Sequence, residues 1–575
     1  MKLIIREYLA GLRERKELDA LLPDLLSQMG LDVFSKPGVG GRQYGVDVAA
    51  IGSIDGGPET VYLFSVKSGD LGRTDWDSAS PQSLRPSLNS IIDTYIGSHL
   101  PAPYQDKPID ICLCFGGNIK ETVRLDVSSY INKNTKGNIS FSEWNGEKLA
   151  NLIERHFLRE ELLPECCRAL LRKSIAILDE PDASYANFKR LIHLLLSDGA
   201  ASEEELLMSL RQAYLCLWIL FSWSRDQNNL ESSYVSSELC VLHSWDKCKE
   251  FFAGATKTHI SIRNTFNAIQ LLHVQISANY MDRCVLPYTN KLHALSAAVF
   301  PSCSTDVNLK MFDVLGRVAS LGLWNIWVLD SLARDERSSE YGVSVVETIR
   351  GLQCCISEMI INNPVLNTPC KDDQGIDIAL AAWFLSLDFG VDIFVGDWLN
   401  QILGAAHYQI ATKNQYPCNL DDYYKLIEHP QNSDAYFQEV TAGSVLYPYL
   451  ALLAALIGDE EAFNRVRTIK KEFLEHCNFQ IWFPDVNSEN AFYSNKSSHG
   501  ATLSHVSMEG EDGMSQFLDM VFKECEEAEG FNSLSAVKLR HWPLVVMACR
   551  HYRYPLPVHF FRGRYVQLKR NLTVG

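Results

Sequence analysis

The sequence predicts an α/β N-terminal domain, a mixed sheet flanked by helices over about residues 1–163, followed by a large all-α region over 164–575. Three observations predict it. Short apolar runs separated by Gly and Pro occupy the first 160 residues. Long stretches with helical apolar spacing occupy the rest, and strand-like alternation is scarce there. A chain of 575 residues also exceeds one ordinary domain. Its 46% apolar and 21% charged content is that of a globular protein and excludes a disordered one.

The elements follow in order. An amphipathic segment from about Glu7 to Met29 carries Leu18, Leu21, Leu22, Leu25 and Leu26 at helical spacing, and Gly30 stops it. Leu31–Phe34, Val46–Ile51 and Val61–Val66 read as strands, the last two separated by the turn signal Asp55-Gly56-Gly57-Pro58. A polar helix over Gln82–Tyr95 precedes a buried strand over Ile109–Phe115, which Gly116-Gly117 ends. A helix over Glu121–Asn132, a strand over Ile139–Trp144 and a helix over Gly146–Leu158 close the domain. The order is α-β-β-β-α-β-α-β-α.

Beyond it, Glu204–Trp223, Met311–Arg334, Ser344–Ile361, Asp377–Ile402 and Ala442–Leu474 read as helical, with room for two subdomains and no clear repeat period. A Ser- and Asn-rich stretch over about 485–513, containing His499 and His505, reads as a mobile loop.

Several classes are set aside. The N-terminus has a short apolar run soon broken by charge and no small-residue cleavage site, so no secretory signal is expected. The most apolar stretches fall short of the ~18–20 uninterrupted residues that cross a bilayer, so a cytoplasmic protein is expected. The sixteen cysteines are scattered without a CxxC, which suits free thiols in a reducing compartment. Cys240, His243, Cys248 and His259 come closest to a metal cluster, but their spacing is not that of a zinc finger and ordinary burial accounts for them.

Chemistry concentrates between residues 17 and 67. Gly45-Val46-Asp47 opens one strand and Phe64-Ser65-Val66-Lys67 closes the next. Residues i and i+2 of a strand share a face, so Ser65 and Lys67 project together while Val66 points to the core. If the two strands form a hairpin, Asp47 arrives beside them. An acid, a second ligand position and a lysine at one sheet end suit phosphodiester cleavage. There a carboxylate holds a divalent cation, and a lysine orients the attacking water and offsets developing charge. Taken singly, a Gly-x-Asp is often a turn and a strand-end lysine a solvated charge. Gly38-Val39-Gly40-Gly41 lacks a following GK[ST] and reads as a flexible edge, with Arg42 and Gln43 able to touch a phosphate.

GVD…FSVK, with this order of elements, resembles the PD-(D/E)XK superfamily of restriction-endonuclease-like nucleases, and its Mrr-like branch most. The helix Glu17–Gly30 followed by LDVFSKPG is similar to that branch's opening, and Ile139–Ala150 to the strand-to-helix ending of related defence nucleases. The resemblance covers about residues 5–160. It implies a Mg²⁺- or Mn²⁺-dependent hydrolase. Asp47, Glu17 (or Asp19) and the Val66 backbone carbonyl would hold the metal, Lys67 would be the catalytic lysine, and Arg42, Gln43 and Lys67 would contact nucleic acid. Ser65 departs from the pattern, which has Asp or Glu there. A hydroxyl brings no charge to a hard cation. An acid elsewhere, Glu17 or Asp70, completes the site; or a partner subunit or the substrate phosphate does; or cleavage has been lost and binding kept.

The formal net charge of -17 opposes nonspecific nucleic-acid binding by the whole chain. It is unevenly placed. Residues 1–160 hold 18 Lys plus Arg and 21 Asp plus Glu, while 161–575 hold 35 and 49. From Arg540 to Gly575 there are seven basic residues and no acid, interspersed with aromatics. That segment suits either phosphate contact and base stacking or docking against the acidic helices. The expectation is a nuclease, acting on DNA, controlled by a helical sensor or assembly region in prokaryotic antiviral defence. Its rivals are a catalytically degenerate nuclease-fold scaffold, and a helical region that binds a partner ATPase or a second copy of the chain.

Overall fold

The computed structural model describes residues 5–6, 9–10, 12, 18–35, 44–78, 83–156, 165–196, 202–299, 302–387, 392–490, 492–494, 501–503, 506, 508, 510 and 513–574. They form two compact units, Met1–Ser236 and Ser237–Gly575. The expected boundary at 163 falls outside the described residues, as do His499 and His505.

In the first unit, helix α1 (Asp19–Gln28) buries Leu18, Leu21, Leu22, Leu25 and Leu26. Each such side chain contributes roughly 1.5–3 kcal/mol on leaving water. Gly30 ends the helix at φ +86°, where its N–H donates to the Ser27 carbonyl and the Leu31 N–H to the Leu26 carbonyl. Five strands follow: β1 (Asp32–Ser35), β2 (Val48–Gly52), β3 (Thr60–Lys67), β4 (Ile109–Phe115) and β5 (Ile139–Trp144). They lie in that order across one mixed sheet, β1–β2–β3 antiparallel and β3–β4–β5 parallel. The β2–β3 hairpin turns through Asp55 (φ 52°) and Gly56 (φ 76°), with the Gly57 N–H donating to the Ile54 carbonyl over 3.0 Å. Two successive left-handed residues twist with the strands, which explains the Asp-Gly signal.

Helices α2 (Leu84–Ser90), α3 (Glu121–Asn134) and α4 (Gly146–His156) flank the sheet. The helix expected as far as Tyr95 continues past α2 as a wider π-turn over Ile91–Tyr95. Val61 and Leu63 of β3 join Ala49, Leu113, Leu84 and Leu88 in one core. All eight residues of β3 are buried. Ser65 and Lys67, expected to project together while Val66 points to the core, are thus buried as Val66 is, because β3 is a central strand covered on both faces. Three further helices complete this unit: α5 (Glu165–Ala176), α6 (Pro181–Leu195) and α7 (Glu203–Asp226). The Ser184 hydroxyl of α6 donates to the Ser174 carbonyl of α5, and Arg211 of α7 to the Gln28 side chain of α1.

The second unit is largely helical. The expected helices over 311–334 and 344–361 appear as α8 (Ser304–Ser331) and α9 (Glu340–Asn362). The stretch 377–402 holds two helices, α10 (Gly375–Leu385) and α11 (Asp392–Ala411). The stretch 442–474 also divides, into α12 (Leu446–Ile457) and α13 (Glu460–Glu472). Gly458, at φ +78°, ends α12, and the Asp459 side chain caps α13. Within 485–513, Ser488, Phe492 and Tyr493 are buried, and Ala501–Leu503 pairs with Ile481–Phe483. α7 and α8 have the length and hydropathy to cross a membrane, and 72% and 56% of their most apolar windows are buried inside the protein.

The basic C-terminal segment is docked by ion pairs. Arg550 binds Glu238 and Asp313, and Arg553 lies 2.8 Å from Asp377. Arg562 pairs with Glu526, Arg564 with Asp392 and Lys569 with Asp519. Phe560 stacks on Trp383 with ring centroids 4.9 Å apart. Of the two readings of this segment, packing accounts for five of its seven cations.

Candidate functional site

The backbone turn before β2 sets the site. Tyr44 and Gly45 both have positive φ, 47° and 84°. A Cβ on Gly45 would stand 2.2 Å from the Ser87 carbonyl oxygen of α2, so glycine is needed for conformation and for space. The next turn of chain presents Asp47, which is clamped to β3 twice. Its N–H donates to the Phe64 carbonyl over 2.8 Å, and its Oδ2 accepts from the Val66 N–H over 2.7 Å.

Ser65 and Lys67 lie on either side of Val66 in β3, 1% and 8% exposed. The Ser65 hydroxyl is buried and has no hydrogen-bond partner among the described residues. Three of the expected site residues, Asp47, Ser65 and Lys67, thus meet at one strand end, with Val66 between the last two. Glu17, Arg42 and Gln43 lie outside the described residues. Asp19, the alternative helix acid, is buried at the first turn of α1.

Asp70 takes another position. Its Oδ1 accepts from the Asn118 N–H over 2.8 Å, and it lines a cleft of about 230 Å³ with Arg6, Gly116, Gly117 and Gly146. A further charge, Lys148 of α4, acts on the same β4 side chain as Asp47. Burial raises the Cys114 thiol pKa, the Asp47 charge adds to the rise, and Lys148 opposes it, so both charges reach the same β4 side chain. The Lys148 ammonium also sits 4.2 Å from the centre of the Trp144 ring. Its signal was its place at the start of the helix that follows β5, beside the sheet end that carries Asp47.

Among the described residues, no group of three or more His, Cys, Asp or Glu is placed to hold a metal ion. This covers the Cys240, His243, Cys248 and His259 set: burial pushes the Cys240 thiol up to about 12, and His243 hydrogen-bonds Tyr552 at 3.3 Å. At the strand end, Asp47 supplies the anionic oxygens and the partnerless Ser65 hydroxyl a neutral one. A hard divalent cation takes six or more oxygens with carboxylates among them. These donors therefore fit a cation only together with a further acid. No family model, curated protein or solved structure matches the chain significantly.

Proposed function

We propose that the N-terminal unit is a metal-dependent nuclease of the PD-(D/E)XK type that hydrolyses phosphodiester bonds in DNA. The second unit then serves as a sensor or assembly region, in a cytoplasmic antiviral defence protein. One observation carries the reading. Asp47 is locked onto the backbone of the strand that bears Ser65 and Lys67, although 17 residues separate Asp47 from Ser65.

Asp47 and Glu17 would hold the cation, a Mg²⁺ or Mn²⁺ ion that supplies Lewis-acid polarisation of a phosphoryl oxygen and a more acidic water. The Lys67 ammonium, confined by burial, is suited to hold a water on the phosphorus side and to offset the charge that grows on the phosphoryl oxygens. The Asp47–Val66 hydrogen bond keeps the carboxylate in one orientation without cost at the moment of reaction. Lys148 adds a second positive charge at the sheet end where Asp47 lies.

Ser65 favours a second reading, a degenerate nuclease fold that binds nucleic acid or a partner without cutting. The deciding experiment incubates the full chain with plasmid and linear DNA in Mg²⁺ or Mn²⁺, beside Asp47→Ala and Lys67→Ala. The nuclease reading expects cleavage by the wild type and at least a hundredfold loss in each variant. Equal activity in all three sinks it. Absence of cleavage with no Mn²⁺ bound at Asp47, and DNA affinity retained, favours the second reading.

A further inference from the structure

An open groove of about 560 Å³ runs along the exposed face of α6 beside Leu170 of α5, within the first unit. Leu170, Ala186 and Leu194 form its apolar lining, Lys189 and Arg190 supply its charge, and His193 completes it. No acid lines it. The acids of the hairpin beyond Glu165, namely Asp179, Glu180 and Asp182, belong to its turn and the first turn of α6. Lys189 and Arg190 make no ion pair among the described residues, in contrast to the cations of the C-terminal segment. Burial and the neighbouring Lys189 charge both depress the His193 pKa, so the imidazole adds no charge of its own near neutral pH and the charge of the rim rests on Lys189 and Arg190. Leu194, at 50% exposure, leaves a large apolar side chain open to solvent beside these charges.

A chain of net charge -17 that leaves two adjacent cations without acidic partners has a local surface suited to an anion. The volume lies in the range of ligand clefts. An apolar floor with a cationic rim matches a nucleotide, whose base covers the floor and whose phosphate meets the rim. Leu194 is the one large apolar side chain exposed on this hairpin among the described residues, which suits a single base better than a bilayer, whose binding takes a continuous apolar helix face.

We propose that this groove binds a nucleotide unit of a single-stranded nucleic acid, with phosphate at Lys189 and Arg190 and the base against Leu170 and Leu194. The site deepens the nuclease reading and rests on it for its biological setting. It would give the first unit a hold on substrate apart from the strand end that carries Asp47.

The test is fluorescence anisotropy of a labelled single-stranded DNA oligonucleotide with the full chain in EDTA, across a salt series. The paired change Lys189→Glu with Arg190→Glu on an exposed helix face is compared with the wild type, and the milder Lys189→Gln with Arg190→Gln serves if the first unfolds. Binding should weaken about tenfold or more, and the salt slope should fall by about 1.4, two phosphate contacts at ~0.7 each. Leu194→Asp should weaken binding with the slope kept. Unchanged affinity in the paired variants overturns the proposal. So does capture by anionic phosphatidylserine vesicles in place of the oligonucleotide. Cleavage by the wild type with unaltered variant affinity removes this site and spares the nuclease reading. Variant-sensitive binding without any cleavage in Mg²⁺ does the reverse.

Discussion

The Asp47 carboxylate accepts the Val66 N–H over 2.7 Å, tying the start of one strand to the middle residue of Ser65-Val66-Lys67 in the next. One hydrogen bond therefore both orients an acid and satisfies a backbone donor of a buried strand. The two roles separate by mutation. Asp47→Ala leaves the Val66 N–H unpaired and should lower stability by roughly 1–3 kcal/mol. Asp47→Asn keeps an acceptor and should stay within about 1 kcal/mol. Both should abolish cleavage, since neither carries the charge. Urea titration beside a DNA-cleavage assay checks this, and a catalytically active Asp47→Asn would contradict it.

Ser65 offers a second separation. Its hydroxyl is buried without a hydrogen-bond partner among the described residues, a state that costs free energy. Ser65→Ala should then be neutral or stabilising by up to about 1 kcal/mol. If the hydroxyl is a metal ligand, the same change should also weaken Mn²⁺ binding several-fold. Thermal melts and Mn²⁺ titration calorimetry on the same variant read the two effects independently.

Gly45 should tolerate no side chain. Alanine there meets both the positive φ of 84° and the Ser87 carbonyl at 2.2 Å. The cost should exceed the ~1 kcal/mol of a left-handed alanine alone, with activity falling because Asp47 is displaced. By contrast, Gly56→Ala, at φ 76° with open space around it, should cost only the conformational part. Equal destabilisation in the two would remove the packing argument.

Acid sensitivity should have a component in the second unit. Glu238 is buried, which alone would raise its pKa, but Arg550 and His551 outweigh burial and bring it down to about 2. A folded pKa below the ordinary 4.5 stabilises above about pH 4.5, and this contribution is lost as pH falls toward 2. Its size is on the order of 3 kcal/mol. Glu238→Gln should therefore destabilise at neutral pH, since it leaves the buried Arg550 with Asp313 as its acidic partner, and should flatten the loss of stability between pH 4.5 and 2. Denaturation midpoints across that range measure the slope, and a wild-type slope in the variant would show that Glu238 contributes nothing to it.

Legibility differed by element. Ile109–Phe115 matches its expected range because a buried parallel strand is a near-continuous apolar run, and Ile139–Trp144 matches because its edge strand alternates Ile139 and Phe141 with Ser140 and Ser142. The hairpin was readable from Asp55-Gly56, whose left-handed preference is local. The break at Gly458 was missed because the apolar periodicity runs through it, and a left-handed glycine carries no hydropathy signal. Burial of Lys67 was also illegible. Nothing in a strand's own residues says that helices will cover both faces. The place of Lys148 at the same sheet end as Asp47 is illegible for a related reason, because it depends on which strands become neighbours across 101 positions of sequence.

By itself the sequence determined the element types, the change from a mixed α/β region to helices, and the pairing that sets Asp47 near Ser65 and Lys67. Those properties follow from side-chain periodicity and turn chemistry over a few residues. Tertiary structure alone decided which charges are spent. The basic C-terminal segment, equal in sequence to a phosphate-binding tail, is largely neutralised by Glu238, Asp313, Asp377, Glu526, Asp392 and Asp519. Lys189 and Arg190 keep no acidic partner among the described residues. Coulomb interactions fall with distance and dielectric rather than with sequence separation, so a cation's availability is fixed only when folding settles which acids come within a few ångströms of it.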